Sequence, residues 1–134
     1  MNNLIRWKQR FENFEKSYAI FQRRIIEYRQ SPDNEAFQMA LIQSFKMIVE
    51  LSCKTLKDYL ESEGLNVTTP KDVIRQAFQS AVINDGETWM EALRQRNLSS
   101  HTYIENTASE MLKFIDLHFD AAVHRLHGAL KSRL

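Results

Sequence analysis

From Leu4 to Tyr28 a large apolar side chain recurs every three or four positions, at Leu4, Trp7, Phe11, Phe14, Tyr18, Phe21, Ile25 and Tyr28. At about 3.6 residues per helical turn, that spacing stacks them on one face of an α-helix spanning residues 4–29. Lys8, Arg10, Glu12, Lys16, Arg23 and Arg24 fall mostly off the stripe. A helix with so heavy an apolar face must be covered by other helices of the same protein. The period also argues that these aromatics are core rather than a platform for stacking bases. With only 3 Gly and 2 Pro in 134 residues the chain is poor in turns, which disfavours a β fold.

The rest of the chain repeats the helical period. Ser31 can cap a second helix with Pro32 in its first position, and the helix runs to about Ser62. Its inward row is Phe37, Leu41, Phe45, Ile48, Leu51, Thr55 and Tyr59, and Gly64 ends it. Thr69-Pro70-Lys71-Asp72 opens a third helix with cap, proline and acidic first turn in order. That helix carries Val73, Ile74, Ala77, Phe78 and Ala81 and stops near Asn84. Asp85 or Thr88 caps a short fourth helix through Trp89 and Leu93 to Arg96. Thr107-Ala108-Ser109-Glu110 reads as the capping box of the last helix, whose seam is Leu112, Ile115, Phe119, Ala122, Leu126 and Ala129. No stretch alternates with a period of two. The expectation is an all-α fold, an antiparallel up-and-down four-helix bundle with a short extra helix, forming one domain over residues 1–134.

Several classes of chemistry have no residues to support them. There is no Gly-rich phosphate loop, no paired cysteine and no H-E-x-x-H metal motif. Cys53 is the only cysteine and sits in an apolar helical pattern, which reads as a buried small side chain and not a catalytic thiol. Asp120, His124 and His127 fall at i, i+4 and i+7, on a face that looks turned away from the seam and solvated, so no metal site is expected. No apolar run approaches the ~20 residues that cross a bilayer. A soluble, cytoplasmic protein without membrane contact is expected. Net charge is +1, with basic ends and an acidic middle, which by itself names no partner.

One stretch remains. Arg96-Asn97-Leu98-Ser99-Ser100-His101-Thr102-Tyr103 gathers a guanidinium, an imidazole and a phenol in eight residues. Arginine grips phosphate oxygens, and histidine transfers protons near neutral pH. That pair is the minimum equipment for holding or cleaving a phosphodiester without a metal or other cofactor. The residues themselves leave binding and cleavage both open, and an ordinary polar connection between helices as well.

Three segments carry a resemblance to a known family. These are residues 43–60, with Ser44-Phe45-Lys46 and Glu50-Leu51-Ser52-Cys53-Lys54; residues 69–78, from Thr69-Pro70-Lys71-Asp72 to Ala77-Phe78; and Arg96 to Tyr103. In that order they resemble the HEPN superfamily, in its branch of nucleotidyltransferase substrate-binding proteins, similar to HepT toxins. The likeness runs from about residue 4 to 125. Cys53 departs from it, since family members commonly have Trp there. The resemblance implies a helical bundle, usually a homodimer, with the Arg/His pairs of both subunits facing one cleft, and a minimal nucleotidyltransferase as partner. It implies one of two roles: a metal-independent ribonuclease toxin, or a non-catalytic subunit that binds nucleotide or substrate for the transferase. In the first, Arg96 and His101 are catalytic and RNA is the substrate. Tyr103 matches the tyrosine that the partner nucleotidylates, and Asn97 is an auxiliary residue that orients the site.

Overall fold

A computed structural model describes residues 2–98 and 105–134 of the chain. All the regular structure among them is helical: α1 (Asn3–Gln30), α2 (Glu35–Ser62), α3 (Pro70–Gln79), α4 (Gly86–Leu98), α5 (Glu105–Phe114), a π-helical turn (Ile115–Phe119) and α6 (Asp120–Lys131). The last three follow one another without a break and form one rod.

The aromatic stripe sets the architecture. Trp7, Phe11, Phe14, Tyr18, Phe21 and Ile25 are buried, while Leu4 is 48% exposed because Trp7 already meets Tyr59 near the end of α2, with centroids 5.0 Å apart. Arg10 Nε donates to Asp58 Oδ2 at 2.9 Å beside that contact. The start of α1 therefore faces the end of α2, and the two helices are antiparallel. The opposite flank of α1 meets the last rod in reverse order, Phe11 on His127, Tyr18 on His124 and Phe21 on Phe119. Helices α3 and α4 close the bundle along α2. The expected all-α bundle is what forms, and α4 sends Trp89, fully buried, to its centre.

Phe119 is the hub. Its ring is 4.9 Å from Phe45 of α2, 5.3 Å from Trp89 of α4 and 5.6 Å from Phe21 of α1, all three edge-to-face. The π turn that ends on it slows the helical rotation locally, so that Met111, Leu112, Phe114, Ile115 and Phe119 are all buried. Arg29 clamps this turn from outside, donating to Asp116 Oδ1 at 2.6 Å, to the Asp116 carbonyl at 3.2 Å and to Asp120 Oδ2 at 3.1 Å.

Several helix ends differ from the reading by sequence. Ser31 closes α1, its N–H bonding to the carbonyls of Glu27 and Tyr28, and Pro32 lies in the turn. The cap of α2 is Asn34, whose side chain accepts from the N–H of Phe37 at 3.1 Å. Thr69 and Pro70 do open α3, and Gly64, at φ 87°, does end α2. Helix α3 stops at Gln79 rather than near Asn84. Ala81 takes φ 60°, Val82 N–H bonds back to the Ala77 carbonyl and Ala81 N–H to that of Phe78. This is a Schellman ending with alanine where glycine is usual. It turns Val82 and Ile83 into the core and leaves Ala81 and Phe78 outside, Phe78 with 53% of its surface exposed. Helix α5 is already helical from Glu105, so Thr107 lies inside it and its expected capping box is not the start.

Candidate functional site

The end of α4 carries the basic half of the candidate motif. The helix opens at Gly86, just after Asp85, whose side chain is tied to Arg125 Nη2 at 2.6 Å and whose carbonyl accepts from Trp89 N–H at 3.2 Å. A Cβ on Gly86 would approach the Phe78 ring to 3.2 Å, so the glycine lets that ring lie against the helix start. Trp89, Ala92 and Leu93 form the buried face. Arg96 follows at i+3 from Leu93 and i+7 from Trp89, so it continues the inward stripe. Its guanidinium reaches across to α2 at the rim, and the side chain stays 34% exposed.

At the rim Arg96 meets α2. Its Nη2 lies 3.6 Å from Glu50 Oε2, and Lys54 Nζ lies 3.0 Å from the other oxygen, Oε1. Glu50 and Lys54, four residues apart on α2, thus pair along the helix, and α4 adds a second cation. The Glu50 carboxyl is held below its ordinary range, first by the Lys54 hydrogen bond and charge and, more weakly, by Arg96. Beneath them Cys53 is buried, and desolvation pushes its thiol up to about 12 even though Arg96 pulls the other way. At neutral pH it stays protonated and inert, as its apolar setting suggested.

Asn97, the next residue, is exposed and faces a groove of about 1060 Å³ between α3 and α4, with Phe78 and Met90 among its lining. Three bases on this groove, Lys71, Arg75 and Arg94, are matched by Asp85, Glu87 and Glu91, so it offers no net field to a polyanion. Gln95 is buried against Glu91, donating Nε2 to its Oε2 at 2.8 Å. His101 and Tyr103, the other two residues singled out from the sequence, lie outside the described residues.

The histidines of α6 are only in part the solvated face expected of them. His124 is exposed, as expected of a solvated face, but all three side chains also reach across to α1, where Asp120 and His127 are half-buried. Tyr18 Oη shares a 2.8 Å hydrogen bond with His124 Nδ1, His127 Nε2 lies 2.8 Å from Glu15 Oε2, and the His127 ring stacks on Tyr18 at 4.8 Å. The last rod is flanked by helices on more than one side, so its polar stripe is a helix contact. Among the described residues no three potential metal ligands come together. No helix in them is long and apolar enough to cross a membrane.

Nothing in the sequence pointed to the meeting of Arg96 with Glu50, because the register of α4 on α2 is a tertiary property.

Residues 9–132 match the family described as nucleotidyltransferase substrate binding protein like. A relative named probable ribonuclease HepT, from Haemophilus influenzae, is 32% identical over 80 residues, which is 56% of this chain and 55% of that protein, so the match spans about half of the relative's length. A solved structure from the same organism, described as a substrate-binding domain of a nucleotidyltransferase, superposes with a TM-score of 0.81 over 90% of this chain and 98% of that one. At 22% identity it speaks for the fold alone. With the family match covering nearly all of a helical bundle of the same shape, the chain belongs to the nucleotidyltransferase substrate-binding protein family.

Proposed function

We propose that this protein is the HEPN-type subunit of a two-component system with a minimal nucleotidyltransferase, and that it cleaves RNA without a metal, using Arg96 and His101. The observation that supports this most is the placement of Arg96. It sits in the last turn of α4, immediately before the segment that holds His101, with its guanidinium at the rim of the bundle rather than sealed beneath it.

In this reading the scissile phosphate rests against Arg96, which stabilises the negative charge that builds on the phosphoryl oxygens. His101 takes the proton from the ribose 2′-OH as that oxygen attacks phosphorus, or gives one to the departing 5′-oxygen. The products are a 2′,3′-cyclic phosphate and a 5′-hydroxyl. The protein acts in the cytoplasm as one domain and as a homodimer, so that two histidines, one from each subunit, divide the acid and base roles. Asn97 orients the site. Transfer of a nucleotide to Tyr103 by the partner adds bulk and charge next to the cleft and silences it.

Purified protein incubated with RNA tests this. Cleavage is expected to persist in EDTA, to be lost in Arg96→Ala and His101→Ala, and to spare DNA, which has no 2′-OH to attack. Protein that leaves RNA intact under all conditions refutes the ribonuclease.

The family description favours a second reading, in which the same residues hold a nucleotide or acceptor for the transferase without cleaving it. Intact RNA together with Arg96-dependent binding of a nucleotide identifies that case.

A further inference from the structure

Arg96 and Lys54 come from different helices, yet they close on the two oxygens of one carboxylate, at 3.6 Å and 3.0 Å. A carboxylate and a phosphodiester present the same thing to such a pair, two oxygens on one centre sharing a negative charge. The Glu50 carboxylate occupies the place between the two cations where one oxyanion can be shared. We propose that Lys54 is a second phosphate-binding residue of this site, acting with Arg96, and that the ligand's phosphate displaces the Glu50 carboxylate from between them.

Three features make the exchange feasible. All three side chains reach solvent, at 34% for Arg96, 46% for Glu50 and 51% for Lys54, so the carboxylate can swing out without repacking the described helices. Exposed ion pairs are worth at most about 1 kcal/mol, so displacing one costs little. The 3.6 Å separation of Arg96 from Glu50 is also longer than a hydrogen bond, whereas a phosphate could be approached to hydrogen-bond distance. By contrast, Arg94 is locked on Glu91 through three hydrogen bonds of 2.7 to 3.1 Å, and its groove is charge-balanced. Lys54 is the cation that shares an anion with Arg96.

This inference rests on the phosphate-binding reading of Arg96 but not on cleavage. The probe is a fluorescein-labelled 12-nucleotide RNA carrying 2′-O-methyl groups, which cannot be cut, titrated by anisotropy across a salt series. Lys54→Ala is expected to weaken binding five- to tenfold and to lower the slope of log affinity against log salt by ~0.7, the loss of one phosphate contact on a single strand. Lys54→Arg should restore both, and Lys16→Ala, on the exposed face of α1, should change neither. Glu50→Gln should tighten binding a few-fold because the competing charge is gone. An unchanged affinity and slope in Lys54→Ala, while Arg96→Ala loses binding, overturns the role of Lys54 and leaves the site at Arg96 standing. Weaker binding in Glu50→Gln overturns the displacement. A wild-type protein that binds neither this probe nor AMP refutes both this inference and the function it deepens. Circular dichroism of each variant guards against unfolding.

Discussion

Truncating Phe119 to alanine removes the ring on which α1, α2 and α4 converge. The side chain is fully buried and makes edge-to-face contacts at 4.9, 5.3 and 5.6 Å, so its neighbours cannot close the gap without abandoning one another. Phe→Ala changes in cores cost about 3–5 kcal/mol, and the full burial of this ring with three edge-to-face partners supports a mid-range value, near 4 kcal/mol. With an unfolding entropy of about 2.1 cal/mol/K per residue, a chain of 134 residues should lose roughly 14 °C of Tm. Leu117 is the control, lying in the same π turn but 68% exposed, and Leu117→Ala should stay within ~0.5 kcal/mol of wild type. Urea unfolding followed by circular dichroism measures both. Because Trp89 loses its support, amide exchange in α4 should accelerate more than in α1. A Phe119→Ala protein within about 1 kcal/mol of wild type, or a Leu117→Ala protein equally damaged, would refute the claim that this ring holds the helices in register.

Other expectations are smaller but equally exposed to test. Ala81→Gly should raise stability by ~0.5–1 kcal/mol, since alanine at φ 60° is in the left-handed region, while Gly64→Ala at φ 87° should cost about 1 kcal/mol; thermal melts read both signs. Glu50 and Glu91 have carboxyls held below their ordinary range, Glu50 foremost by Lys54 and Glu91 foremost by Arg94. A depressed folded pKa gives stability that is present at neutral pH and lost as pH falls through the folded value. The Glu50→Gln, Glu91→Gln protein should therefore lose less Tm than wild type between roughly pH 5 and pH 3. Cys53, with its thiol at about 12, should resist iodoacetamide at pH 8 in the folded protein and react once urea unfolds it, a difference that mass spectrometry counts directly.

The sequence by itself determined the helices and most of their buried faces, because both depend on neighbours within a few residues. The aromatic row of α1, the Thr69-Pro70 start of α3 and the Gly64 ending follow from local spacing and backbone preference. Local signals failed where two endings competed. Ser31 looked like a cap for α2, but the free carbonyls of α1 use it first, and no glycine announced the stop at Ala81. Only the tertiary structure decided which distant groups meet. Arg96 lies beside Glu50 and Lys54 because the Trp89–Phe119–Phe45 contacts set the register of α4 on α2. His124 and His127 face Tyr18 and Glu15 because α1 covers a second side of the last rod. Such pairings join residues dozens of positions apart, and a helical period carries no information about where on its partner a helix will come to rest.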